Sequence, residues 1–126
     1  MKMKEVYVTD KAPRPVGPYS QVIKAGGFLF LAGQIPLTSE NVMNEGDLAA
    51  QAHQVMKNLH AVLEKAGTTL NNVVKTTIFL ADLNDFEAAN QVYAQYFQEP
   101  YPARSTIQAA RLPKGARLEI DAIAIL

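Results

Sequence analysis

An arginine and a glutamate near the end of the chain have residue types suited to binding and processing a small acid. Arg104 begins a β-rich segment directly after Pro102 and Ala103. A planar guanidinium offers two parallel donors to a carboxylate, which a lysine cannot match. Glu119 lies within the next β-rich segment, where a half-buried carboxylate could orient or activate water. Each residue also has an explanation without a ligand, since Arg104 could form a surface salt bridge and Glu119 could occupy an exposed strand position.

Two further polar side chains are candidates for the same site. Asn90 borders the apolar stripe of a predicted helix, where its amide must find partners from the backbone or from a ligand. Tyr19 ends the segment KAPRPVGPY, whose prolines fix an extended loop. Its hydroxyl could reach a ligand or cap the core, and the residues alone leave both alternatives open.

Several kinds of catalytic site are excluded or disfavoured by the sequence. His53 and His60 are separated by roughly 10 Å along one helix axis, whereas two ligands of one zinc must each come within about 2.1 Å of it. We therefore predict a solvated position for both histidines and no metal site. The chain has no cysteine, and the patterns GxSxG, GxGxxG and GxxxxGK[ST] are absent, which disfavours serine-hydrolase and nucleotide-binding roles.

Composition and charge limit the partners. The 126 residues suit a single domain, 1–126, and the 12 basic residues balance the 12 acidic ones, so nucleic acid is not an expected partner. No apolar run approaches the ~20 residues of a membrane span, and residues 1–15 lack the apolar core of a signal peptide. We expect a cytoplasmic protein that does not associate with membranes.

The spacing of apolar residues predicts the elements that position these side chains. Strands are predicted over 3–9, 22–25, 28–32, 73–81, 104–110 and 117–125. A helix is predicted over 48–66, capped by Asp47 and ended by Gly67. Asn84 is predicted to open a second helix, with Glu87 completing a capping box and an apolar stripe of Phe86, Ala89, Val92, Tyr93, Tyr96 and Phe97.

This order predicts an α+β fold in which two helices cover one face of a mixed six-stranded sheet. Gly26-Gly27 suits a two-residue hairpin, and the strand FLFLA that follows is predicted to be central and covered on both faces. The last strand alternates, with Arg117, Glu119, Asp121, Ile123 and Ile125 on one side. Because a solvated face seldom carries two such isoleucines, we expect part of it to pack against another subunit.

Six segments resemble the reactive intermediate deaminase family, the Rid or YjgF-like proteins, and most closely their RidA subgroup. They are PVGPYSQ (15–21), AGQIPL (32–37), VVKTTIFLADLNDFEAAN (73–90), PARS (102–105), ARLPKGA (110–116) and LEIDAIAI (118–125). The resemblance runs nearly end to end, with the motifs in order and at matching spacing. It implies a chorismate-mutase-like fold assembled as a homotrimer, with clefts between subunits.

The resemblance also implies an activity. Deaminases of this family hydrolyse short 2-imino acids and their enamine tautomers, such as 2-aminoacrylate, 2-iminopropanoate and 2-iminobutanoate, to 2-keto acids and ammonia. These substrates are reactive intermediates of amino acid metabolism, and their removal requires no cofactor or metal. The implied alternative is a non-catalytic regulatory protein that binds a 2-keto acid in the same cleft. A ribonuclease role has been attached to family members, but zero net charge and the lack of a basic, aromatic-lined patch speak against it.

Matched position by position, the family's site falls on six residues of this chain. Arg104 would bind the substrate carboxylate, and Glu119 would hold the attacking water or pass protons. Tyr19, Gly33 and Asn90 match positions that line the cleft, and pairing of Arg104 with Glu119 across a subunit interface would explain why both lie at strand edges.

The sixth position departs from the family pattern. Thr106 stands where many members have cysteine in PARSC, and the neighbouring VEVA pattern is replaced by IQAA at residues 107–110. The change is tolerable if the backbone carbonyl at this position binds the imine nitrogen. It puts activity in doubt if the thiol itself is needed.

Overall fold

In the computed structural model, which describes residues 3–126, two helices lie against one face of a six-stranded sheet. The strands are β1 (Glu5–Tyr7), β2 (Val22–Ala25), β3 (Phe28–Gln34), β4 (Val73–Leu80), β5 (Ala103–Gln108) and β6 (Leu118–Ile125). The helices are α1 (Leu48–Lys65) and α2 (Phe86–Tyr93). Residues 1 and 2, which belong to the segment predicted to lack a signal peptide and flank the predicted strand 3–9, lie outside the described part of the chain.

The strand order is β1-β2-β3-β6-β4-β5, in which β4 and β5 pair in parallel and all other neighbours are antiparallel. Gly26 and Gly27 join β2 to β3 with φ of 59° and 83°, values that glycine adopts without strain. The predicted hairpin and the mixed α+β sheet are thus confirmed. The predicted strand 104–110 is shorter in the structure and ends at Gln108.

Helix α1 forms where the apolar spacing predicted it. The Asp47 side chain accepts a hydrogen bond from the Ala50 N–H at 2.9 Å, which satisfies one of the free donors of the first turn. Gly67 follows the helix with φ of 90°. The predicted stripe is buried against the sheet at every position: Leu48, Ala52, Val55, Met56, Leu59, Val62, Leu63 and Ala66.

Helix α2 begins later and ends earlier than predicted. The Asp82 carboxylate, not Asn84, accepts the capping hydrogen bond, and it caps a 3-10 turn at Leu83–Asp85 that precedes the helix. The predicted opening of the helix at Asn84 is therefore wrong, because Asn84 lies inside this 3-10 turn and the α-helix begins at Phe86. Phe86 is 40% exposed rather than part of a buried stripe, and Tyr96 and Phe97 lie beyond the helix end.

The two faces of the sheet differ in what covers them. Leu118, Ile120, Ala122 and Ala124 alternate onto the helix face and are buried. The opposite face, here called the open face, is covered by neither helix. Phe28 and Phe30 of β3 are each 44% exposed there, so the prediction that β3 is covered on both faces is wrong for the single chain. Ile107 and Ile125 are also exposed on this face.

None of the helices described between Met3 and Leu126 combines the length and the apolar character that crossing a bilayer requires.

Candidate functional site

A buried glutamine holds the proline-rich loop that carries Tyr19. The Gln21 side chain is 2% exposed, accepts a hydrogen bond from the Thr9 N–H at 2.8 Å, and donates to the carbonyls of Thr9 and Pro13 at 3.0 Å each. Tyr19 itself is exposed, and its hydroxyl accepts a 3.4 Å hydrogen bond from the Val16 N–H. The loop therefore presents Tyr19 outward from a fixed base, rather than as a cap on the core.

Gly33 and Glu119 face each other across β3 and β6. The register between these strands shifts between Leu31 and Gln34, which places Gly33 in an irregular part of β3. A Cβ at Gly33 would collide with Oε2 of Glu119. Any side chain larger than that of glycine would therefore displace the Glu119 carboxylate from its present position.

Glu119 lines a cavity of about 510 Å³. The cavity is lined by Pro13, Arg14, Val16, Tyr19, Gln21, Ala32, Gly33, Gln34, Ile35, Leu37, Pro113, Lys114 and Glu119. Burial raises the pKa of Glu119, and the charge of Asp121 on the same face raises it further. A carboxyl group whose pKa is raised in the direction of neutral pH is better suited to exchange protons with a bound molecule.

Alanine at Gly33 is expected to drive the Glu119 carboxylate away from the sheet and into better-hydrated space. The raised pKa of Glu119 should then fall toward its ordinary value, because hydration favours the charged form. Carbon-13 NMR titration of the Glu119 carboxyl in wild type and Gly33→Ala measures this directly. An unchanged pKa, with the carboxyl still buried, would contradict the close approach of the two residues.

Arg104 lies on the edge strand β5 and projects onto the helix face. It pairs with Thr76 of β4, which pairs in turn with Ala122 of β6, and directly paired residues share a face of the sheet. Its guanidinium carbon lies 5.0 Å from the ring centre of Tyr93 and 5.6 Å from that of Phe86. These distances are those of cation–π contacts.

The Arg104 charge has no acidic partner among residues 3–126, since no carboxylate oxygen of that range lies within 4.0 Å of it. Of the described arginines, Arg117 donates side-chain hydrogen bonds from its guanidinium, and Arg104 donates none. Arg104 lines a second cavity of about 330 Å³, together with Asn90, Tyr93, Ala94, Tyr101 and Pro102.

Two buried polar atoms beside Arg104 also lack partners. Oδ1 of Asn90 and Oγ1 of Thr106 are inaccessible to solvent and make no hydrogen bond with the described residues. Thr106 lies two residues beyond Arg104 on β5, and Asn90 lies in the same cavity as Arg104. Buried polar groups are normally satisfied, so these are two polar atoms that the described residues of the single chain leave without a partner.

The site residues predicted from the sequence form two groups on opposite faces of the sheet. Arg104 pairs with Thr76, whereas Glu119 pairs with Phe79, three residues further along β4. Residues an odd number apart in a strand point to opposite faces. Tyr19 and Gly33 accompany Glu119, and Asn90 accompanies Arg104. The expected placement at strand edges holds for Arg104, but β6 is an interior strand.

The histidines contribute to neither group. His60 is exposed, as predicted, but His53 is half-buried, and its Nδ1 lies 2.7 Å from the Tyr96 hydroxyl. The prediction of a solvated His53 is therefore wrong, because Tyr96 just beyond α2 packs over it. Within residues 3–126, no three His, Cys, Asp or Glu side chains are placed to hold a metal ion.

Sequence reasoning missed two charged residues that line one of these cavities and misplaced a third, Arg117. Arg14 and Lys114 line the cavity of Glu119. Lys114 has a positive φ of 57°, a strained value for a residue other than glycine, and this is a signal that only the structure supplies. Arg117, predicted on the open face with Glu119, instead binds both carboxylate oxygens of Asp85 at 3.0 and 3.1 Å.

Comparison with known proteins identifies the family. A model of the family described as Endoribonuclease L-PSP matches residues 9–126. A RutC family protein of Pyrococcus horikoshii is 54% identical over 125 residues, which cover 97% of this chain and 98% of that protein. The 2-iminobutanoate/2-iminopropanoate deaminase of Homo sapiens is 44% identical over 124 residues, 98% of this chain and 90% of that protein.

A solved structure of similar sequence has the same fold. The crystal structure of YyfA from Yersinia pestis, described as a protein of the conserved Rid family, is 46% identical and superposes with a TM-score of 0.95 over 98% of this chain and 99% of that chain. The family includes imine deaminases. The chain is a member of the reactive intermediate deaminase (Rid, YjgF-like) family.

Proposed function

We propose that this protein hydrolyses short 2-imino acids, such as 2-iminobutanoate and 2-iminopropanoate, to 2-keto acids and ammonia. The observation that carries the proposal is the free guanidinium of Arg104. It is held against two aromatic rings without an acidic partner and lies beside the unpaired Oδ1 of Asn90. Such a group can bind a small carboxylate with two parallel, charge-assisted hydrogen bonds.

The chemistry needs one water and no net oxidation or reduction. Water attacks the carbon of the C=N bond, the nitrogen takes a proton, and the tetrahedral adduct collapses to the keto group as ammonia leaves. Glu119 would hold the water and pass its proton to the nitrogen, a role that suits the raised pKa of this carboxyl group. Thr106 would face the imine nitrogen through its backbone carbonyl, and Tyr19 and Gly33 would line the cleft.

The working unit in this proposal is a homotrimer. Arg104 and Glu119 of one chain lie on opposite faces of its sheet, so one substrate can reach both only if they come from two protomers. The exposed phenylalanines 28 and 30 on the open face support such packing, since apolar side chains grouped on a surface favour association. Arg104 of one protomer would then face Glu119 of its neighbour.

A coupled assay tests the activity. A threonine dehydratase with its substrate releases 2-aminobut-2-enoate and its imine, which hydrolyse slowly on their own. Adding this protein is expected to accelerate the appearance of 2-ketobutanoate. Binding of 2-ketobutanoate without any acceleration would instead favour the regulatory alternative, especially if Thr106→Cys then restored turnover.

A further inference from the structure

The rings of Tyr93 and Phe86 lie against the Arg104 guanidinium, and neither residue has a role in the catalysis proposed above. Tyr93 of α2 is 7% exposed, and its hydroxyl forms a 2.8 Å hydrogen bond with Oγ1 of Thr76 on β4. Thr76 is fully buried and is the residue paired with Arg104 in the parallel ladder. The same threonine thus hydrogen-bonds with Tyr93, whose ring lies beneath the guanidinium, and is paired with Arg104 in the sheet.

We propose that Tyr93, locked by Thr76, is a positioning residue that aims Arg104 at the substrate carboxylate; the inference rests on the carboxylate-binding role proposed above. Phe86 forms the second, more exposed wall. Tyr93 is in turn supported by Phe97, whose ring centre lies 4.5 Å from its own. Arg104 is therefore held by aromatic surfaces that continue into the core.

The aromatic rings of Tyr93 and Phe86 can hold the Arg104 guanidinium without occupying its N–H donors, as an acidic partner would. An aspartate or glutamate beside Arg104 would fix the guanidinium, but it would occupy the N–H donors that the substrate carboxylate needs. A ring face attracts the cation through its quadrupole and leaves the donors in the guanidinium plane unoccupied. The absence of a carboxylate within 4.0 Å of Arg104 in the described part of the chain agrees with this arrangement.

The ionisation state of Tyr93 fits the same role. Burial raises the pKa of the Tyr93 hydroxyl, although the Thr76 hydrogen bond and the Arg104 charge act in the opposite direction. The side chain therefore stays neutral at physiological pH. A phenolate there would pair with Arg104 and compete with the substrate.

Side-chain NMR tests the positioning without any ligand. Nitrogen-15 relaxation of the Arg104 Nε–H is expected to give an order parameter of about 0.8 in wild type, and below about 0.6 in Tyr93→Leu. Because Tyr93→Leu also opens a cavity in the core, Phe86→Leu on the exposed wall serves as a second variant and should lower the order parameter in the same direction. Exposed Arg111 is the internal reference for a mobile arginine. An Arg104 as mobile as Arg111 in wild type would overturn the inference, whatever the enzymatic activity.

Kinetics test whether positioning acts through carboxylate binding. Tyr93→Phe and Thr76→Val each remove one partner of the hydroxyl pair and are expected to raise KM for 2-iminobutanoate about three- to tenfold, with kcat within about twofold of wild type. The two changes should be non-additive, because the partners act as a unit. In an Arg104→Lys background, Tyr93→Phe should raise KM no further. An equal further rise in KM in that background would show a general structural role for Tyr93 and overturn the inference. A wild-type protein without activity would contradict the proposed function, and the NMR order parameters would then decide whether Tyr93 positions Arg104.

Discussion

Arg104→Ala is expected to lower kcat/KM for 2-iminobutanoate by at least about a hundredfold, which corresponds to ~2.7 kcal/mol of lost transition-state stabilisation. Charge-assisted hydrogen bonds contribute about 1.5–3 kcal/mol each, and the bidentate grip would lose two of them. The carboxylate of the substrate would then lie without its counter-ion next to the rings of Phe86 and Tyr93. The coupled dehydratase assay measures the loss.

Two further variants separate binding geometry from charge. Arg104→Lys keeps the charge but offers no planar pair of donors, so it should recover only a small part of the activity. Arg111→Ala removes an exposed arginine near the end of the same segment, outside the residues that line either cavity, and should retain wild-type kinetics. Full activity of Arg104→Ala would remove this residue from the site.

Because Arg104 and Glu119 lie on opposite faces of the sheet, the same variant offers a test of the assembly. In a trimer whose sites form between protomers, Arg104→Ala and Glu119→Gln each inactivate all three sites. Co-expressed in equal amounts and assembled at random, they would form a population of trimers in which about one quarter of all sites combine an intact Arg104 with an intact Glu119. Activity near a quarter of wild type is expected. No recovery, with mixed trimers confirmed by native mass spectrometry, would contradict a shared site.

The division of the site between the two faces could not be read from the sequence. Local patterns predict α1, its Asp47 cap and the alternation of β6, because each depends on residues close in the chain. Whether Arg104 and Glu119 meet depends on β6 inserting between β3 and β4, and on the register that pairs Thr76 with Arg104 and Phe79 with Glu119. Register joins residues far apart in sequence and is set by packing of the whole sheet.

The predictions for single residues that proved wrong or incomplete also failed because tertiary contacts decide them. His53 has the spacing of a solvated position, yet Tyr96 beyond the end of α2 covers it. The pair of Tyr93 and Thr76 shows no local pattern, because its partners are 17 residues apart on different elements. By contrast, the family resemblance matched Gly33 to a position that lines the cleft, and in the structure a Cβ at this position would meet the Glu119 carboxylate.

Glu119→Gln is expected to reduce kcat by about 10²- to 10⁴-fold while making the protein more stable at neutral pH. The loss of activity is expected because the change removes the group proposed to hold water and transfer its proton. The gain in stability follows from the pKa of Glu119, which burial and then Asp121 raise above the ordinary value of 4.5. Such a carboxylate costs free energy to keep charged in the folded protein, and a neutral amide of similar shape avoids that cost.

The pH dependence gives this prediction a definite sign. As pH rises through 4.5 the unfolded chain releases the Glu119 proton first, while the folded chain retains it until the raised pKa is passed. The unfolded state therefore binds fewer protons in that window, and the wild type loses stability there relative to Glu119→Gln. The difference should be near zero below pH 4.5, grow through the window and stay constant above it.

Urea unfolding of both proteins from pH 4 to pH 8 measures the difference in the free energy of unfolding. Both proteins are used at the same concentration, because association of protomers adds a concentration-dependent contribution to stability. Asp121→Asn is the matched variant on the same strand. It removes the second cause of the raised pKa and should shift the lower limb of the wild-type pH–rate profile toward acid while retaining turnover. A Glu119→Gln protein that is less stable at neutral pH would show that the carboxylate is held by a favourable partner in the folded state, which contradicts a carboxyl group destabilised by burial and poised to transfer a proton.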